Sequence, residues 1–223
     1  YMTPDSFPED RARFKIFDNT KRLKARHGLT GCEDEAFDAI AKIKKLSRVD
    51  NAPVKRVELH LHTNMSSMDA ISDAGAALKL AASFGHPAMA VTDHGVMYGA
   101  VAFYKACRAE GIKPIIGCEV YVAPRSRFDR NQDDRPRHLV LLCKDDTGYR
   151  NLCALVSRSF TEGFYGKPRV DMELLKEYHE GLIALSACLA GEVQNLLMHG
   201  NYEGAKATAL KYDELFGRDN YYL

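Results

Sequence analysis

The stretch "ISDAGAALKLAASFGHPAMAVTDH", Ile71 to His94, decides the reading of the fold. It runs helix, glycine, proline, strand. Ser72 suits the N-cap of a helix that its small and apolar residues carry to Phe84. Gly85 stands where such a helix stops, and Pro87 precedes a short apolar strand. The next segment, "VMYGAVAFYKACRAEGIKPIIGCE" (Val96 to Glu119), repeats this order with Gly111 and Pro114. Further on come the strand "LVLLCK", the helix "GYRNLCALVSRSF" and the strand "GLIALSAC", then two helices from about Ala190 to Phe216. "FGRDNYYL" (Phe216 to Leu223) reads as a helix stop, a turn and the start of another strand, so the natural chain is expected to continue. Strands alternating with helices predict an α/β fold with a parallel sheet, either a barrel or an open sheet. The strands are solidly apolar, as strands buried on both faces are.

Residues 1–52 read differently. "EDEAFDAIAKIKKLSR" (Glu33 to Arg48) spaces Phe37, Ile40, Ile43 and Leu46 by threes, which predicts one amphipathic helix, and "VDNAPVK" follows as a linker. The expected division is an N-terminal segment, 1–52, and a main domain, 53–223. The chain of 223 residues is 46% hydrophobic and 27% charged, within the globular range. Its formal charge of +1 gives no global field to draw nucleic acid, so such a role needs a local patch. None of the six cysteines forms a C-x-x-C pair, which excludes a zinc ribbon. Several lie in apolar runs, as reduced thiols of a cytoplasmic protein do.

The strand-like run "VELHLHTNMSSMD" (Val57 to Asp69) places His60 and His62 two residues apart. On a strand they face one way, with Cα atoms roughly 6.6 Å apart, and can converge on one ion. Other ligand-type residues stand near strand ends: Asp93 and His94 in "AVTDH", Glu119 in "PIIGCE", and Cys188 in "LIALSAC". Asp69 lies in the first loop. Ligands gather at the carboxyl ends of parallel strands. His138 opens its strand instead, with no helix before it; a local hairpin is one way to return it to the others, which the spacing alone does not establish. A mixed His, Asp, Glu and Cys set suits zinc, manganese or iron. Several ions sharing a carboxylate suit phosphoester hydrolysis. Cys118, next to Glu119, faces the opposite side of its strand and reads as a core thiol. His86, His179 and His199 read as helix-end residues. Arg125, Arg127, Arg130, Lys167 and Arg169 sit in two turn-rich loops and are candidates to touch a nucleic-acid backbone.

Four stretches, "ELHLHTNMSSMDAIS", "AVTDHGVMYGAVAFYKACRAEGIKPIIGCEVYVAPRSRFD", "RHLVLLCKDDTGYRNLCALVS" and "GLIALSACLAGEV", closely resemble the PHP (polymerase and histidinol phosphatase) domain of bacterial DNA polymerase III alpha subunits. The H-x-H and T-D-H motifs define that superfamily. The longer stretches are much more specific to the replicative polymerase. The resemblance implies a distorted (β/α)7 barrel, here truncated before its last strands. It also implies three divalent ions: His60, His62 and Glu119 on the first, Glu119, His138 and Cys188 on the second, and Asp69 and His94 on the third. An Asp-x-His pair that the family uses further along is not found between Cys188 and Leu223. The first motif looks most like the PolC form. Only 18 residues separate Glu119 from His138, leaving no room for the exonuclease inserted in that form, and the rest looks DnaE-like.

The implied activity of the domain is metal-dependent phosphoesterase or 3′–5′ exonuclease action. The implied parent is a DNA-directed DNA polymerase with a Mg2+ polymerase site elsewhere, DNA and other replicase subunits as partners, and a cytoplasmic location. The alternatives are a free-standing phosphatase of the histidinol-phosphate kind, and a metal-stabilised module that only braces the polymerase.

Overall fold

The computed structural model describes residues 50–67, 69–131 and 135–223. The helix expected at Glu33–Arg48 lies outside them. Ala52–Leu223 form one compact unit. Helix α1 (Ala74–Ser83) is capped by Asp73, whose carboxylate accepts from the Ala76 amide at 2.8 Å. The cap is therefore Asp73 and not the expected Ser72, because Asp73 stands three residues before the amide it satisfies. Gly85 takes φ 76°, and Gly111 repeats the device at φ 70° after helix α2 (Ala100–Ala109). A left-handed residue there ends the helix without a Cβ penalty.

Strand β1 (Ala88–Val91) pairs in parallel with the first half of β2 (Lys113–Val122), Ala88 opposite Lys113 and Val91 opposite Ile116. The second half of β2 pairs antiparallel with β3 (Arg137–Cys143), Gly117 opposite Leu142 and Val122 opposite Arg137. The expectation of a purely parallel sheet is corrected here. The described residues between β2 and β3 hold no helix, the chain returns alongside β2, and β3 runs against both neighbours. After α3 (Asp146–Thr161) come the two-residue β4 (Arg169–Val170), parallel to the end of β2, and α4 (Met172–Tyr178). Strand β5 (Leu182–Leu185) is antiparallel to β3 and parallel to β6 (Tyr221–Tyr222), with α5 (Glu192–Met198) and α6 (Tyr202–Phe216) between them.

Residues 57–62 extend the sheet beside β1: Ala90 N–H donates to the Glu58 carbonyl and Thr92 N–H to the Leu61 carbonyl. The sheet has two unlike faces. Cys118, Val120, Val122, Leu139 and Leu141 point outward into the largest core, against Leu152 and Leu155 of α3, Leu174 and Leu175 of α4, and Tyr212 and Phe216 of α6. Val140, Leu142 and Ala90 point inward. The inner face lines an apolar trough of about 810 Å³, bordered by Leu59, Ile115, Leu142, Ile183, Leu185 and Tyr222. Leu59 and Tyr222 belong to opposite ends of the strand order, so the sheet curls and the trough is its hollow. This is the expected distorted barrel.

Candidate metal centre

Five of the expected ligands gather around one carboxylate. Glu119 sits three residues before the end of β2, not at its end, and is completely buried. Its Oε2 lies 3.0 Å from His60 Nε2, 2.5 Å from His62 Nε2 and 3.6 Å from His94 Nε2. Its Oε1 lies 3.1 Å from His138 Nδ1 and 3.8 Å from Cys188 Sγ. Asp69 completes the set, 2.6 Å from His62 Nδ1.

Local structure explains each placement. His60 and His62 share a face of the edge segment, so their Nε2 atoms come to 3.3 Å. The hairpin between β2 and β3 returns His138 beside Tyr121, two residues beyond Glu119. Cys188 is three residues past β5, in a loop that Ala187 turns with φ 68°. Its Sγ is 3.4 Å from His138 Nδ1. His94 follows β1, where the Glu119 N–H donates to the Asp93 carbonyl and the Gly95 N–H to the Glu119 carbonyl.

Asp93 is buried and stands outside the three donor groups; its hydrogen bonds organise the site. It accepts from the Thr63 amide at 2.6 Å, the Thr63 hydroxyl and the Ser66 hydroxyl, and Ser66 Oγ in turn accepts from the His94 amide. The loop after His62 is thereby tied to the strand end bearing His94. Tyr121 is a site residue that the sequence reading did not name. The alternation Glu119, Tyr121 marks it, since residues two apart share a strand face. Its ring stacks on His94 at 4.4 Å and meets His138 edge-on at 5.3 Å.

The electrostatics are those of a cation site. Burial alone would raise the Glu119 carboxyl, but hydrogen bonds from His138, His60 and His62 hold it well below the usual carboxylate range. The hydrogen bond to Glu119 raises His62 against the opposing effect of burial. Burial lowers His94 to about 4, opposed by the charge of Glu119 and reinforced by His138 and His62, which favours the neutral imidazole. Its Nδ1 is buried without a hydrogen-bond partner. Among the described residues no lysine or arginine pairs with Glu119. The donors form three overlapping groups that could each hold an ion: His60, His62 and Glu119; His62, Asp69 and His94; His94, Glu119 and His138. A buried anion ringed by imidazoles fits borderline divalent metals.

The other expectations divide. Cys118 is buried in the outer core, its thiol pushed up by burial, on the face opposite Glu119. His179 and His199 end α4 and α5, and His86 follows Gly85. Arg127 and Arg169 do not face solvent: they are 3% and 2% exposed. Arg127 bonds Asp171 and Glu162, and Arg169 donates to the carbonyls of Gly163, Arg127 and Asp129. These partners, reached by folding, take both guanidinium groups out of reach of a nucleic-acid backbone. Arg125 pairs with Asp129, and Arg130 donates to backbone carbonyls beside Tyr165. Lys167 is exposed and reaches the Tyr121 hydroxyl at 2.9 Å.

The chain is 52% identical over 170 residues to the DNA polymerase III subunit alpha of Treponema pallidum, covering 75% of this chain and 14% of that protein. It is 54% identical over 142 residues to that of Chlamydia pneumoniae, covering 62% and 12%, and 49% identical over 181 residues to that of Deinococcus radiodurans, covering 77% and 14%. It thus spans only about one seventh of the length of these relatives. The family model of the PHP domain matches residues 58–223, the whole curled sheet with every donor around Glu119, and the chain belongs to the PHP domain family.

Proposed function

We propose that this chain is the PHP portion of a bacterial DNA polymerase III alpha subunit. Its own chemistry is metal-dependent phosphoester hydrolysis, of the 3′–5′ exonuclease kind. The observation that carries this reading is the buried Glu119 carboxylate with four histidines, and no fixed cation among the described residues, around it. His60 and His62 with Glu119 would hold one ion, Glu119, His138 and Cys188 a second, and Asp69 with His94 a third. Divalent ions at such a site supply an activated water at neutral pH and neutralise phosphoester charge. The chain's residues prepare this. Asp69 orients His62 so that its Nε2 faces Glu119, and Asp93 fixes the strand end from which His94 projects. DNA and other replicase subunits would be partners of the parent, whose Mg2+-dependent polymerisation belongs to a separate site.

The test is digestion of labelled single-stranded DNA by the complete parent protein, with Mn2+, Zn2+ or Mg2+ and with chelator. Elemental analysis of wild type and His60→Ala runs beside it. Metal-dependent release of mononucleotides, lost in the variant together with bound metal, supports the reading. Equal metal content in both proteins overturns the ligand assignment. Bound metal without cleavage overturns the exonuclease and leaves a structural brace.

A further inference from the structure

Lys167 is an exposed cation held in a fixed place. Its loop is built for rigidity. Tyr165 and Lys167 pair across Gly166, which takes φ 68°. The buried Arg169 donates to the Gly163 carbonyl at the start of the loop, and its guanidinium and that of Arg130 lie 5.4 and 5.7 Å from the Tyr165 ring centroid. Pro168 presses on Gly95, the residue after His94. A Cβ at Gly95 would come within 2.9 Å of Pro168 Cγ and 3.1 Å of Tyr121 Cε2. The loop, the tyrosine and the His94 turn therefore form one packed unit. Within it Lys167 Nζ lies 2.9 Å from the Tyr121 hydroxyl and 4.4 Å from that ring's centroid, and the ring lies 4.4 Å from the His94 ring. Among the described residues Lys167 has no carboxylate partner. A lysine ammonium that rests on a neutral hydroxyl and not on a carboxylate keeps its charge free to meet a phosphate as a point charge.

We propose that Lys167, steadied by Tyr121, takes the phosphate adjacent to the one being cleaved, and so selects an oligonucleotide end over a lone phosphate ester. The proposal rests on the phosphoesterase reading above. The ammonium is held on Tyr121, whose ring stacks on His94, so it borders the donor cluster without belonging to it; in this proposal it serves the phosphate next to the one held among Glu119 and the histidines. Tyr121 is the positioning residue: it is buried, and its hydroxyl anchors the lysine head.

The test is acylation footprinting of lysines in the complete parent protein with Mn2+, read by peptide mass spectrometry. The probes are phosphorothioate-linked tetrathymidylate, which resists cleavage, and thymidine 5′-monophosphate. Tetrathymidylate should slow labelling of Lys167 about tenfold, the strength of one charge-assisted phosphate contact. The monophosphate should not protect it, and Lys144, bonded to Asn220, serves as the reference. In the cleavage assay Lys167→Ala should raise KM for the unmodified tetramer about tenfold, more than it lowers kcat, and Lys167→Arg should restore it. Equal labelling with and without tetramer overturns the proposal, even where wild type cleaves DNA. Equal protection by both probes also overturns it, because Lys167 would then bind the reacting phosphate. Protection by the tetramer in a protein that does not cleave keeps the Lys167 site and sinks the phosphoesterase reading alone.

Discussion

Glu119 and Asp171 are both buried acids, 0% and 2% exposed, and the chain treats them in opposite ways. Asp171 meets the Arg127 guanidinium at 3.0 Å, accepts from the Arg127 amide and caps α4 through the Leu174 amide. Arginine never gives up its proton, so this pair is closed for good. Glu119 meets four imidazoles, bases that can turn their lone pairs to a metal. One acid locks the loop of Arg127 to a helix, while the other is left open to an exchangeable cation. A buried charge thus reveals its job by whether its partner is permanent.

The largest expected effect tests the permanent pair. Arg127→Met leaves Asp171 buried without its guanidinium and should cost about 3–5 kcal/mol in urea denaturation. A loss under about 1 kcal/mol would erase the contrast between the two acids. Next comes the exchangeable side. At a metal concentration one hundred times Kd, wild type should gain about 2.7 kcal/mol, and Glu119→Gln should gain almost none. Thermal melts with and without metal read this, and a full gain in the variant breaks the comparison from the other end.

Thiol chemistry sharpens it further. Metal should slow alkylation of the exposed Cys188 several-fold, and chelation should restore the rate. Cys118, buried and raised by its burial, should stay unlabelled either way. Protection of Cys118 in place of Cys188 would put the strand register in error. The smallest effect is at the rim of the lock. Hydrogen bonds from Arg158, then Arg127, hold the Glu162 carboxyl below its usual value. A depressed folded pKa means stability that is present above about 4.3 and lost as pH falls below it. Glu162→Gln should therefore flatten the acid limb of the stability curve slightly. An unchanged limb assigns the acid sensitivity elsewhere.

Much of the site was legible because its signals are local. His60 and His62 share a face by strand alternation, and the Gly85 and Gly111 stops frame the strands that carry His94 and Glu119. The absence of a helix pattern between β2 and β3 raised a hairpin as the way back for His138, but the spacing alone did not decide it. What escaped reading is non-local. The burial of Arg127 depends on an aspartate 44 residues away, and a loop rich in arginine looks solvated until that partner is placed. The two-residue β4 has no periodicity to read, and α4 is too short to show a clear one. Asp93 differs from an ordinary strand-end acid only through Thr63 and Ser66, about thirty residues earlier.

The position of Glu119 has a kinetic consequence. Its partners are 59 residues away at His60 and 69 away at Cys188, so only a segment that spans residues 60–188 holds the full set of donors. Contacts of such separation close late on a folding pathway. Ions that need all of them would stabilise the native state far more than the transition state. They would leave the refolding rate nearly constant and slow unfolding, so that bound metal lengthens the lifetime of the fold without helping to build it.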